Sequence, residues 1–249
     1  VTVYLVVLVT GMQPNTSEIK LPVQVPYDDY GFVAGQAAKP GIYAAGFRLL
    51  DAFNMVGFLM AGFLLPFISR HWPDLKRYSP VLLACRHLLM LGSIFVAAFS
   101  LAAPEYIPSL LYHREDPHTV EIIKIILLAL PALSLIHIYG TTLTATRNIK
   151  TFLFISLFFS VITILMNLIF IPTYGAMACA IIAVTTQSMY AMTLVYFARK
   201  KTGIDPGLTF IPFYLSAGIL CFIIISITVH YNGPILLSAF LAVSLLLIH

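Results

Sequence analysis

The chain has 249 residues, 60% of them apolar and only 10% charged, with a formal net charge of +4 and a mean hydropathy of +0.95. A water-soluble domain carries roughly 25% charged residues, so this chain cannot cover a globule of its size in water, and lipid removes the need. Its basic excess lies in short segments between apolar runs and forms no broad patch, so membrane topology accounts for it and nucleic acid is excluded as a partner.

In chain order, the first apolar run is Val1–Met12, shorter than the ~20 residues a spanning helix needs. It lacks the basic start and cleavage site of a signal peptide. The last run, Pro234–Ile248, stops just before the terminal His249. These ends predict a piece of a longer protein, cut at both sides. Between them lie six full-length runs: Gly41–Ser69, Pro80–Ala103, Val120–Thr144, Thr151–Ile171, Gly175–Ala198 and Leu208–His230. Each reaches the spanning length, and none alternates with period two, so they predict helices and not barrel strands. The expected fold is all-α, a polytopic bundle of about eight membrane segments in a single membrane domain, with no soluble domain.

The connecting segments predict orientation. Arg70–Ser79, Thr146–Lys150 and Arg199–Pro206 hold Arg70, Lys76, Arg77, Arg147, Lys150, Arg199, Lys200 and Lys201 against only Asp74 and Asp205. The alternate set, Gln13–Pro40, Pro104–Thr119, Pro172–Tyr174 and Tyr231–Gly233, holds Lys20, Lys39 and Arg114 against six acids, Glu18, Asp28, Asp29, Glu105, Glu115 and Asp116. By the positive-inside rule the first set is cytoplasmic, and Gln13–Pro40 is an external loop. In a cysteine-free background, cysteines at Lys76 and Lys200 are expected to be shielded from an impermeant thiol reagent applied outside, and one at Asp28 to be labelled. Labelling at Lys76 in intact cells would reverse the orientation. Pro104–His118 is expected to carry one interfacial turn, Tyr106–Tyr112.

Motifs for catalysis, nucleotides and metals are missing. The sequence has no GxxxxGK[ST], dinucleotide fingerprint, HExxH, GxSxG or Cys/His ligand spacing. Asp28 and Asp29 are adjacent, so their side chains diverge, and no third ligand follows. Cys85, Cys179 and Cys221 sit singly inside apolar runs and read as small packing residues. No metal, cofactor or enzymatic activity is expected.

The sharpest feature is Arg48 with Asp51 inside the run Gly41–Ser69. A spacing of three puts them on one helix face, near enough to pair. A charge at this depth costs at least ~2.5 kcal/mol, so it must face a partner or water. Met55, Leu59, Gly62 and Pro66 continue that face, and Asn54 lies at its edge. The pair either binds substrate in a cavity or neutralises itself and fixes helix packing. Two polar stripes follow: Ser134, His137, Thr141 and Thr144, then Ser156, Ser160, Thr163 and Asn167. Each occupies one helix face. Such stripes serve as interhelical hydrogen-bonding glue or as a cavity wall, with His137 a candidate proton carrier. Pro66, Pro131, Gly57, Gly62, Gly92, Gly140 and Gly218 interrupt the runs and suit bending helices.

The segments Gly41-Ile42-Tyr43-Ala44-Ala45-Gly46-Phe47-Arg48-Leu49-Leu50-Asp51 through Pro66, Gly140–Lys150 and Asn167–Ala176 together resemble the multidrug/oligosaccharidyl-lipid/polysaccharide flippase superfamily. The likeness is strongest to its polysaccharide-biosynthesis branch, with the lipid II flippases as near relatives. It covers Gly41–Lys201 well and the last two runs by position. It implies fourteen helices in two six-helix lobes plus a final pair, around a central cavity open to one side at a time. This chain then corresponds to the seventh through fourteenth helices. Residues 1–12 form a truncated span, 13–40 an external loop, 41–201 the core of the carboxyl-terminal lobe and 202–249 the last two spans. An arginine three residues before an acid in the eighth helix is a cavity feature of the lipid II flippases, and Arg48 and Asp51 match it. The charged seventh-helix residues common in the polysaccharide branch are not matched.

The resulting expectation is a flippase for a lipid-linked oligosaccharide, a polyprenyl-pyrophosphate sugar, in a bacterial cytoplasmic membrane. Arg48, Asp51 and Asn54 would bind substrate, and His137, Thr141, Thr163 and Asn167 would line the cavity. The partners implied are the lipid-linked substrate, membrane lipid, a coupling ion (Na+ or H+) and the amino-terminal lobe of the same protein. The rivals are a drug/cation antiporter of the same superfamily using Asp51, a membrane-embedded glycosyltransferase or polymerase, and a structural membrane protein.

Overall fold

The structure, a computed structural model, describes residues 39–106, 117–204 and 210–230. The expected spans Val1–Met12 and Pro234–Ile248 lie outside the described residues, as do the Asp28-Asp29 pair and most of the turn Tyr106–Tyr112. Every regular element among the described residues is a helix: α1 Lys39–His71, α2 Leu75–Ala102, α3 Pro117–Leu127, α4 Leu130–Ala145, α5 Ile149–Thr202 and α6 Phe210–His230. Five stretches are long and apolar enough to cross a membrane: Phe47–His71, Leu75–Ala102, Val120–Ala145, Ile149–Thr202 and Pro212–His230. The all-α membrane fold therefore holds, and the total of about eight segments is not established by these residues.

Two departures from uniform spans have plain causes. The run Val120–Thr144 is one span made of two helices, α3 and α4. Pro131 stands in the first turn of α4, where its missing N–H costs nothing. Continued into α3, its ring would meet the Leu127 carbonyl. The backbone tightens there instead, with Leu128 N–H donating to Ile125 O and Ala129 N–H to Ile126 O, both at 3.1 Å.

The second departure is α5, 54 residues long. A straight helix of that length would run about 80 Å, far beyond a bilayer. It reverses at Gly175, with φ 61° and ψ −140°, a backbone region open essentially to glycine alone. Ser156 Oγ lies 2.6 Å from Tyr190 Oη, and the Phe159 and Tyr190 rings stand 5.5 Å apart. Residues 34 apart on a straight helix would be about 51 Å apart, so the two arms lie antiparallel. They correspond to the expected runs Thr151–Ile171 and Gly175–Ala198, and the turn between them was anticipated at Pro172–Tyr174.

The core forms where α1, α2, α4 and both arms of α5 meet. Leu64, Ile68, Tyr78, Leu82, Ile138, Leu143, Ile155 and Leu194 are all buried there. α6 packs on α2 through Ala98, Ala217 and Cys221. This connectivity gathers Arg70 and His71 at the end of α1 with Lys76 and Arg77 at the start of α2. Arg147, Lys150 and the closing Arg199, Lys200 and Lys201 of α5 join them at the same end of the bundle, as the loop charges required. Gly203, at φ 72°, closes α5 in the left-handed conformation.

Candidate functional site

α1 presents two different faces. Leu50, Leu64 and Ile68 are buried, and Gly57 lies on their side. Arg48, Asp51, Met55, Leu59, Gly62 and Pro66 are exposed on the other. At 100° per residue, Arg48 and Gly57 stand about 180° apart around the helix axis. Arg48 is the second residue of the apolar stretch Phe47–His71, and Asp51 lies one turn further in. The face read from the sequence is thus a real face, and it turns away from the bundle to which α1 belongs. Bare lipid is a poor host for an arginine and an aspartate within an apolar span. A hydrated cavity or a second lobe is the environment that fits both.

The spacing allowed Arg48 and Asp51 to pair. Among the described residues the ion pair found is Asp74–Arg77, at 3.4 Å and exposed; Asp51 makes none with Arg48.

Asn54 lies where the two faces meet. Its Oδ1 accepts a hydrogen bond from His137 Nε2 on α4 at 2.8 Å. The His137 ring also stands edge-on to Phe58, with centroids 4.5 Å apart. His137 thus joins α4 to α1. Other members of its stripe also act locally. Ser134 donates to Leu89 O on α2 at 3.4 Å, and Thr144 donates to Gly140 O in its own helix at 2.9 Å. Thr141 is half-buried on α4. For Ser134 and His137 the geometry is that of interhelical glue.

The second stripe behaves differently. Ser156, Ser160 and Thr163 line a cleft of about 270 Å³ with Thr186, Gln187 and Tyr190 of the facing arm of α5. Asn167, one turn beyond Thr163, has a buried Oδ1 with no hydrogen-bond partner among the described residues. Within this stripe Ser156 and Thr163 donate to Phe152 O and Phe159 O of their own helix, both at 2.8 Å, and Ser156 also meets Tyr190 across the cleft. No group of three or more His, Cys, Asp or Glu able to hold a metal occurs among the described residues.

One polar cluster was missed by sequence reasoning. Arg86, inside α2, is 2% exposed. Its Nη1 donates to Tyr139 Oη on α4 at 3.1 Å, and its charge acts on the Tyr214 hydroxyl on α6. Tyr214 Oη lies 2.8 Å from Nδ1 of the adjacent His87. Two neighbouring basic residues in the middle of an apolar run were a legible signal. Their phenolic partners, on two other helices, were not.

A family model described as Lipid II flippase MurJ matches residues 44–249. No curated protein matches the chain.

Proposed function

The chain belongs to the lipid II flippase MurJ family, within the multidrug/oligosaccharidyl-lipid/polysaccharide flippase superfamily, and from that membership we propose that the exposed face of α1 carries its substrate contacts. Members are transporters of lipid-linked precursors, multi-pass in the bacterial inner membrane, and not enzymes. The glycosyltransferase or polymerase reading is therefore withdrawn.

The proposed cargo is a polyprenyl-pyrophosphate oligosaccharide destined for the cell wall or a surface polysaccharide. Arg48 binds its pyrophosphate by charge-assisted hydrogen bonds, two of which its planar fork can make in parallel. Asp51, one turn along the same face, holds Arg48 between turnovers or exchanges it for a coupling cation, Na+ or H+. Asn54 adds a contact through its amide NH2, its Oδ1 being taken by His137. Thr141, Thr163 and Asn167 line the path. Residues 41–201 form the carboxyl-terminal lobe and 202–249 the last two spans. An amino-terminal lobe closes the cavity, and the two rock about the headgroup while the lipid tail stays in the bilayer.

The observation that carries this reading is the exposure of Arg48 and Asp51 on the face opposite the buried side of α1. In vesicles carrying the full-length protein and a labelled lipid-linked precursor, Arg48→Ala is expected to lower translocation by about ten- to a hundredfold, the worth of hydrogen bonds to a charged group. Undiminished translocation in that variant would remove Arg48 from the binding site.

A further inference from the structure

Arg48 and Asp51 can meet a substrate only if α1 keeps one rotational setting. The apolar contacts of α1 fix that setting weakly. Leu50, Leu64 and Ile68 bury area without direction, and in a bilayer the lipid tails are as apolar as the bundle. A directional contact is required, and His137 supplies it. Its Nε2–H donates to Asn54 Oδ1 at 2.8 Å, and Phe58 abuts the ring edge-to-face. Gly57 makes the approach possible, since a Cβ placed there would collide with His137 Cδ2. Asn54, Gly57 and Phe58 thus bracket one imidazole, with Gly57 about half a turn of the helix away from Arg48, Asn54 about 120° and Phe58 about 80°.

We infer that His137 is a positioning residue for transport: it locks the rotation of α1 and thereby keeps Arg48 and Asp51 turned into the cavity. The inference rests on the reading of Arg48 as a headgroup contact, and it deepens that reading. It also accounts for Gly57, which is needed here for the absence of a side chain and not for flexibility. Turning α1 by one residue, about 100°, would swing Arg48 towards lipid or into the lobe and leave the His137–Asn54 hydrogen bond unmade.

The test reads the rotation directly, in the full-length protein in membranes and in a cysteine-free background. One reporter is Leu59→Cys, on the side of Arg48 and 76% exposed; the other is Leu50→Cys, on the buried side and 4% exposed. Both are labelled with a small water-soluble thiol reagent. His137→Leu is expected to slow labelling at position 59 and speed it at position 50, each by about fivefold, the shift that losing one ordinary hydrogen bond allows. His137→Gln is expected to restore both rates and translocation, because its amide nitrogen reaches the place of Nε2. If His137→Leu does not accumulate, Asn54→Leu, which removes the acceptor, is expected to give the same shifts. Unchanged rates at both reporters, or no recovery with glutamine, would overturn the inference. Rates that shift as expected while Arg48→Ala still translocates would uphold the lock and overturn the headgroup role of Arg48.

Discussion

The double variant Arg48→Leu/Asp51→Leu is expected to accumulate in the membrane at wild-type levels and to move almost no lipid-linked precursor. Both side chains sit on the exposed face of α1, so their removal leaves no hole in the core formed by Leu64, Ile68 and their neighbours. Each charge costs at least ~2.5 kcal/mol to hold at bilayer depth, so leucines there ease insertion. Folding therefore loses nothing and substrate binding loses its guanidinium. Arg48→Lys should retain part of the rate, since the charge survives and the two-pronged geometry does not. The outcome is read by comparing membrane abundance with precursor translocation in the same vesicles. Translocation near wild type in the double variant would reduce Arg48 and Asp51 to tolerated surface charges and remove the residue-level support for the mechanism.

The parts legible in the sequence are those set by local rules. Spanning helices follow from runs of apolar residues longer than the bilayer requires, and the exposed face of α1 follows from the 3.6-residue period alone. The reversal in α5 was visible at Pro172–Tyr174, because a proline between two full-length apolar runs breaks the helix. Pro131 was visible as an interruption, although the resulting division into α3 and α4 was not. What was not legible depends on which helices meet. Spacing permits an Arg48–Asp51 pair without requiring it, and the structure places them on one face unjoined. His137 was seen only as a polar residue in a stripe. Its partner Asn54 lies 83 residues earlier, and nothing in either helix specifies that α1 and α4 cross there. Gly57 was read as a bending point, yet its use is to admit an imidazole. Arg86 was lost for a different reason: basic residues were weighed by their loops, and this one lies inside a span.

The largest stability effect is expected at Arg86. Replacing Tyr139 and Tyr214 together by phenylalanine should destabilise the protein by about 2–3 kcal/mol, the worth of a hydrogen bond to a charged group. Arg86 is 2% exposed within α2, eleven residues and about 16.5 Å from the start of that helix, so water cannot easily take over from the phenols. The two tyrosines come from α4 and α6, and the same Tyr214 hydroxyl meets His87. Losing them strands a guanidinium and unfastens α6 from α2 in one step. Arg86→Met added to the double variant should recover much of the loss, because the charge that needed the hydroxyls is gone and the new side chain fills similar space. The comparison is made by thermal unfolding in detergent, with membrane abundance alongside. If the triple variant is as unstable as the double, the phenols act through packing and their contact with His87, and Arg86 is not the group they serve. If the double variant unfolds like the wild type, the guanidinium is satisfied elsewhere and the cluster does not hold α6. Recovery in the triple variant is the result that a phenol-solvated arginine requires, since removing a charge can restore stability only where that charge had become the liability.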